Sequence, residues 1–351
     1  ALPILMMNFS HYLIRSNQSV KEALIALNRL SADTLTLFVV DPEGKMTGTV
    51  TDGDIRRKLI DGICLNDPIY QAMNPDFYYL NEKEIDIEKV KIIKNKGIAL
   101  LPVLSSDRRI IKVLNLKKKK SVLPLDAVIM AGGKGERLRP LTEKTPKPLL
   151  KVGEKCIIDY NIDNLLTHGI EHIYVTVNYL GEQLEKHFEQ ERDGIKIRCI
   201  KEPCFLGTIG SVKFIPSFCN DTVLIMNSDL FTNINLEDFY LHFQKNNADM
   251  AVAAIPYSIS VPYGIFKLEE REIKGVLEKP TYNYYANSGI YLIKRKLLEM
   301  IPENTFYNAT DFMEKLIAGG FRVIRFPLVG YWIDIGKPED YRKAQDFAKH
   351  L

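Results

Sequence analysis

A chain of 351 residues is longer than one ordinary single-core domain and predicts two. Hydrophobic residues make up 46% and charged residues 26%, a balance typical of globular proteins. With 47 basic against 44 acidic residues the net charge is only +3, which argues against nucleic-acid and membrane-surface roles, since both need a concentrated basic face.

The opening ALPILMM is apolar but far shorter than a spanning helix and lacks a basic leader. It reads as partly a remnant of expression, with the natural start at Met6 or Met7, so no export and no membrane span are expected. Residues 7–120 then carry a weak internal repeat, in copies of about 7–65 and 66–120. The first copy predicts a helix over Val20–Leu30, a strand TLFVV, a turn DPEG, a short strand GTV and a helix opening at TDGDIRRKLI. The second predicts a helix in DIEKVKIIKNKG, a strand ALLPVL, a turn SSDRR and a strand IIKVLNL. Neither copy is large enough to bury a core alone, so the two are expected to pack as one pseudo-twofold unit. Lys117–Lys120 reads as a solvated linker to the second region, 124–351.

There the pattern becomes alternating strands and helices. DAVIM, HIYVTV, IKIRCI, TVLIM and MAVAAI read as buried strands, and YNIDNLLTHG and GEQLEKHFEQ as amphipathic helices between them. This predicts an α/β fold with helices covering a mostly parallel sheet, preceded by a smaller α/β unit. Loops carrying chemistry should gather at the carboxyl ends of the strands. The five cysteines, at 64, 156, 199, 204 and 219, form no CxxC pair and are odd in number. Reduced thiols in a cytoplasmic protein are expected, without a zinc site.

The loop after AVIM presents Ala131, Gly132, Gly133 and Gly135, then Arg137. Glycines let backbone N–H groups approach a triphosphate closely, and a planar guanidinium grips phosphate oxygens. Lys147, boxed by Pro146 and Pro148, is a cation held still beside a nearer phosphate. Asp229 in MNSDLFTN ends a strand, and Asp334 in GYWIDIGKPEDY lies between two isoleucines. Such acids suit Mg²⁺, which takes few protein oxygens and several from phosphate. Glu202, Gly207, Thr208 and Gly210 in KEPCFLGTIGS would let a flat base or sugar come near the backbone. Glu278, Lys279 and Asn287 suit sugar hydroxyls and a sugar phosphate.

AGGKGERLRPLT…PKPLL, LGTIGS, NSD, YGIF, EKP, NSGIY and WIDIGKPEDY follow one another in an order and spacing that resembles the sugar-1-phosphate nucleotidylyltransferases. The resemblance covers residues 124–351 and implies a Rossmann-like α/β fold. It implies that the Gly132–Gly135 loop holds a nucleoside triphosphate and that Arg137 and Lys147 act on its phosphates. It further implies that Asp229 and Asp334 ligate Mg²⁺, and that Tyr263, Gly264, Glu278, Lys279 and Asn287 bind the sugar phosphate. Ser228 departs from the family, which usually has glycine before the metal aspartate.

The first region, 1–120, resembles a tandem CBS domain pair on the strength of GTVTDGDIRR. That implies an adenosine nucleotide at Thr51 and Asp54, and a homodimer. The second copy has Asn115 and lysines where a Thr/Ser-x-x-Asp would stand. The combined architecture is similar to the glucosamine-1-phosphate guanylyltransferases of legionaminic acid biosynthesis, with GTP as nucleotide. Uridylyl or thymidylyl transfer to another hexose 1-phosphate, and a nucleotide sensor without turnover, are the alternatives. No left-handed helical repeat follows, so no attached acetyltransferase is expected.

Overall fold

Ser19 and Thr51 open the first two helices, α1 (Val20–Arg29) and α2 (Asp52–Ile60), with the same device. In each, the hydroxyl accepts the backbone N–H three residues on, and the carboxylate at that position accepts the N–H of the capping residue. Asp54 also receives Arg57 Nη2 at 2.6 Å, so both residues predicted to meet a nucleotide are partnered inside a helix cap. Thr51→Ala is expected to cost this unit about 1 kcal/mol, measured by denaturant unfolding.

The computed structural model describes residues 9–30, 34–82 and 86–350; the ALPILMM reading lies outside them. The chain divides into two compact units, Ala1–Leu123 with Thr167–Gly169, and Pro124–Leu166 with Ile170–Leu351. In the first unit β1 (Leu13–Arg15), β2 (Thr36–Val40) and β3 (Met46–Thr51) form one sheet, parallel then antiparallel. After β4 (Leu80–Asn81) and α3 (Ile87–Asn95), β5 (Leu100–Leu104) and β6 (Ile110–Asn115) complete a second sheet with the same order and senses. The halves share a core: Leu100, Leu104 and Val113 are buried in one cluster with Phe38, Val39 and Met46. Burial that neither copy supplies alone is what joins them.

The second unit is built on seven strands. β7 (Asp126–Ala131) leads through a glycine loop to the short pair β8 (Lys151–Val152) and β9 (Lys155–Cys156), then α4 (Ile157–Thr167). There follow β10 (His172–Val177), α5 (Gly181–His187), β11 (Arg198–Lys201), β12 (Thr222–Asn227), β13 (Leu230–Thr232) and α6 (Leu236–Lys245). Next come β14 (Met250–Ser260), β15 (Ile265–Glu269), β16 (Glu272–Leu277), β17 (Thr281–Lys294) and α7 (Ala309–Ala318). The last elements are β18 (Val323–Pro327), β19 (Trp332–Asp334) and α8 (Pro338–Ala348).

The large sheet has the order β11-β10-β7-β12-β17-β14-β18. All neighbours are parallel except those of β17, which runs against both β12 and β14. From β7 the chain moves outward to β10 and β11, then returns to the other side of β7 as β12. The crevice at the carboxyl end of β7 is therefore a topological switch point, where open α/β sheets bind ligands. At the opposite end of β7, fully buried Asp126 accepts the N–H groups of Cys219 and Asn220 and the Asn220 amide, pinning the entry to β12.

Two expectations need correction. IKIRCI forms a strand only from Arg198, because Arg192 and Ile195 close a turn on each other immediately before it. MAVAAI does not stop at Ile255 but runs on to Ser260, paired with a strand the sequence did not suggest.

Candidate active site

The cleft at the switch point holds about 670 Å³ and is walled by the β7 loop, Lys147, Glu202, Phe205, Gly207, Thr208, Asp229 and Asp334. The loop glycines have different tasks. A Cβ at Gly133 would meet nothing within 4 Å, so this is where a phosphate can approach the backbone freely. A Cβ at Gly132 would stand 2.5 Å from Glu202 Oε1, so that glycine makes room for a side chain instead. Gly135 has φ +63°, and Thr142 donates to its carbonyl at 2.8 Å, which folds the loop back over Lys147.

Lys147 sits in a 3-10 turn between its two prolines and is buried. Its Nζ donates to Asp229 Oδ2. Asp229 and Asp334 come together because β13 and β19 pair antiparallel, Leu230 opposite Asp334, with the Ile335 N–H donating to the Asp229 carbonyl at 3.1 Å. The Oδ1 atoms of both aspartates are buried with no hydrogen-bond partner. Burial, and then the charge of Asp229, push the Asp334 carboxyl above its ordinary value; Lys147 and Arg137 pull the other way. Two convergent carboxylates with orphaned oxygens fit a divalent cation, and Asp229 and Asp334 are the residues that would hold it. Arg137 reaches the same end: a Cβ at Gly336 would lie 3.3 Å from its Nη2.

Glu202 is buried at 3% exposure on the other side of the Gly132 backbone. Burial raises its carboxyl, while the Leu206 N–H donating at 3.4 Å lowers it. Gly207 lines the cleft, and on their Cβ side Gly207 and Gly210 pack closely on the backbone that precedes α7. Added Cβ atoms there would lie 2.6 Å from the Tyr307 carbonyl and 2.7 Å from that of Thr305. Thr208 Oγ1 accepts the Ala309 N–H at 2.8 Å and so serves the start of α7. Gly207→Ala, which also meets φ +77°, should lower stability by about 2 kcal/mol or more, measured by thermal unfolding.

The sugar-phosphate candidates are not among the residues that line the cleft. Tyr263 and Gly264 precede β15, and Glu278 and Lys279 follow β16; a Cβ at Gly264 would be 3.0 Å from Glu278 Oε2. Asn287 is engaged within β17, donating to the Tyr291 hydroxyl at 2.9 Å and accepting the Gly289 N–H at 2.9 Å. Sequence reasoning missed Phe205, Asn227 and Gly336, all on the cleft wall. Phe205 was visible inside KEPCFLGTIGS as a large apolar residue in a turn, and it is 47% exposed here. Among the described residues, two further groups could approach a metal, Asp126–His172–Cys219 and Cys156–Asp159–His187. In the first, Asp126 already has its three donors. In the second, Asp159 already faces His187 Nε2 at 2.8 Å and Arg192 Nη1 at 2.6 Å.

The nucleotidyl transferase family model matches residues 126–350, the whole of this sheet and its cleft. The chain belongs to the nucleotidyl transferase family. A CBS domain model matches residues 6–61. Among curated relatives, the mannose-1-phosphate guanyltransferase of Yarrowia lipolytica is 30% identical over 229 residues, 62% of each chain. The UTP–glucose-1-phosphate uridylyltransferase of a Synechocystis strain is 28% identical over 241 residues, 63% of this chain and 62% of its own. The chain thus spans 62% of the length of these relatives. A crystal structure from Bacillus anthracis, provisionally described as a glucose-1-phosphate thymidylyltransferase, superposes with a TM-score of 0.51 at 22% identity. It covers 65% of this chain and 96% of that one, and shares the fold. No helix among the described residues is long and apolar enough to cross a membrane.

Proposed function

We propose that this chain is a sugar-1-phosphate nucleotidylyltransferase that uses GTP, with glucosamine 1-phosphate as acceptor, giving GDP-glucosamine and pyrophosphate. The observation that carries the reaction class is the convergence of Lys147, Arg137, Asp229 and Asp334 at one end of a cleft whose floor is an open glycine backbone. A sugar-phosphate oxygen attacks the α-phosphorus, a P–O bond forms, and the bond to the β-phosphate oxygen breaks with its electron pair leaving on pyrophosphate. The attacking oxygen is already anionic, so no general base is required. Lys147 stabilises charge at the α-phosphate, Arg137 holds the departing phosphates, and the Gly133 backbone fixes the line of attack. Mg²⁺, if held by Asp229 and Asp334, supplies further neutralisation of phosphate charge.

The choice of GTP is supported by Glu202. A carboxylate buried against the loop backbone is matched by the two adjacent donors of guanine, N1–H and the N2 amine. Uracil and thymine place carbonyl oxygens on both sides of a single N–H, and one of these would face the carboxylate unpaired. A second reading, uridylyl transfer, would need a glutamine-like pattern there. For the acceptor, the exposed Glu278 carboxylate favours an amino sugar, whose ammonium it can pair.

Pyrophosphate release with GTP, UTP, dTTP, CTP and ATP against glucosamine, glucose, mannose and N-acetylglucosamine 1-phosphates tests the proposal. Turnover with UTP or dTTP in preference to GTP overturns the guanylyl assignment and leaves the reaction class. Glu202→Gln should lower kcat/KM for GTP by about 100-fold and spare or improve UTP.

A further inference from the structure

The cleft wall carries two side-chain hydroxyls, those of Thr208 and Ser228. Thr208 Oγ1 is engaged, accepting the Ala309 N–H at 2.8 Å. Ser228 is 6% exposed, and no residue among those described hydrogen-bonds its hydroxyl. A nearly buried hydroxyl without a partner costs free energy, and a ligand that supplies the partner removes that cost. Ser228 lies on the wall of the cleft, so the cleft is where such a partner arrives.

The backbone fixes where this hydroxyl stands. β12 ends at Asn227, which is paired with Met130 of β7, and the Ser228 N–H donates to the Met130 carbonyl at 3.2 Å. On the other side of β7, Val177 of β10 is paired with Ala131, and the Glu202 N–H donates to the Val177 carbonyl at 2.9 Å. Glu202 and Ser228 therefore flank the carboxyl end of β7, on strands two spacings, or about 10 Å, apart. Asp229 follows Ser228 directly and is the acceptor for Lys147. Asn227, one residue earlier, turns its amide towards the β17 backbone instead: a Cβ at Gly289 would lie 2.5 Å from Asn227 Nδ2.

We infer that the Ser228 hydroxyl bonds a ribose hydroxyl of the bound nucleotide and makes the site select ribonucleotides over their deoxy counterparts. The inference rests on the proposed reading of Glu202 as the base end of the cleft and of Lys147, Asp229 and Asp334 as its phosphate end. In a nucleotide the pentose joins base to phosphate, and Ser228 stands between the residues assigned to each. A serine hydroxyl both donates and accepts, so it can pair with a sugar hydroxyl in either sense. A deoxy analogue would leave the serine unpaired in a closed site, and a site built to bond a hydroxyl rejects the analogue that lacks it. Glycine, which the family resemblance leads one to expect at this position, has no group that could make the distinction.

Pyrophosphate release with GTP and with its 2′-deoxy and 3′-deoxy analogues, on the wild type, Ser228→Ala and Ser228→Gly, tests this. The wild type should favour GTP over one analogue by about 10-fold or more in kcat/KM, and the analogue that suffers identifies the hydroxyl. Both variants should lose about 10-fold on GTP and change little on that analogue, bringing the ratio to within about twofold. Ser228→Ala should unfold at the wild-type temperature. A serine with a structural role alone would alter all three nucleotides equally. A wild type indifferent to both deletions, or variants that keep the wild-type preference, would overturn the inference. A chain that prefers UTP overturns the guanylyl assignment alone, and UTP with its two deoxy analogues then gives the same comparison. In a chain without turnover, calorimetric titration of the same nucleotides reads the ratio as dissociation constants, and absence of binding overturns both readings.

Discussion

Asp334→Asn should raise the melting temperature of the metal-free protein by about 2–4 °C and, with Mg²⁺ present, lower turnover by about 1000-fold. The two effects share one cause. Burial and the neighbouring Asp229 raise the Asp334 carboxyl above the ordinary value of about 3.9, so the folded state favours its protonated form. Stability from this group is fully present below that ordinary value. It is lost as pH rises through the raised folded value. At neutral pH the metal-free chain therefore carries the cost of two close carboxylates whose Oδ1 atoms have no partner. Asparagine removes that cost together with the cation ligand. Melting curves of wild type and variant from about pH 4 to 8, with and without Mg²⁺, check the sign. Mg²⁺ should stabilise the wild type more as pH rises and should scarcely affect the variant. Equal Mg²⁺ shifts in both proteins would remove Asp334 from the cation site.

Lys147→Ala should do the opposite to stability while having a similar effect on turnover. Lys147 is the cation paired with Asp229, and both side chains are largely buried, at 11% and 22% exposure. Its removal leaves Asp229 and Asp334 facing each other with less compensation, Arg137 being the cation that remains. A fully buried broken pair costs about 3–5 kcal/mol; partial exposure of Asp229 reduces this to about 2–4 kcal/mol. Turnover should fall about 1000-fold, the loss of one donor aimed at developing phosphate charge. Thermal unfolding with pyrophosphate release separates the roles. Lys147→Met turning over within tenfold of wild type would make the lysine a structural counter-ion only. Mg²⁺ should recover part of the lost stability in Lys147→Ala, because it neutralises the same carboxylates.

Much of the fold could be read directly along the chain, and the reasons are local. Apolar runs such as DAVIM and TVLIM read as buried strands because amphipathic helices lie between them, whereas the switch point at β7 appears only in the sheet order. The paired helices and hairpins of the first unit were visible because each repeats the same caps and turns. The extension of β14 and β17 beyond their neighbours in the large sheet was not visible. Tyr257, Ile259, Tyr282 and Tyr284 alternate with polar residues, as a half-buried strand does, yet none is buried within one chain. The roles of the glycines were equally hidden. Gly132, Gly133 and Gly207 look alike in sequence, but one accommodates Glu202, one lies open and one packs on Tyr307.

The sequence by itself determined the α/β class and pointed to the two-part organisation and to a set of charged residues proposed to act on phosphate. Composition, periodicity and short motifs are properties of neighbouring residues, and these three conclusions depend on nothing more. Only the tertiary structure decided that Asp229 and Asp334, more than a hundred positions apart, meet through one strand pair. It also decided that Glu202 reaches back beneath Gly132, and that the sugar-phosphate candidates are not in the cleft wall. Those contacts are set by sheet order and packing across the core, and spacing along the chain carries no record of either.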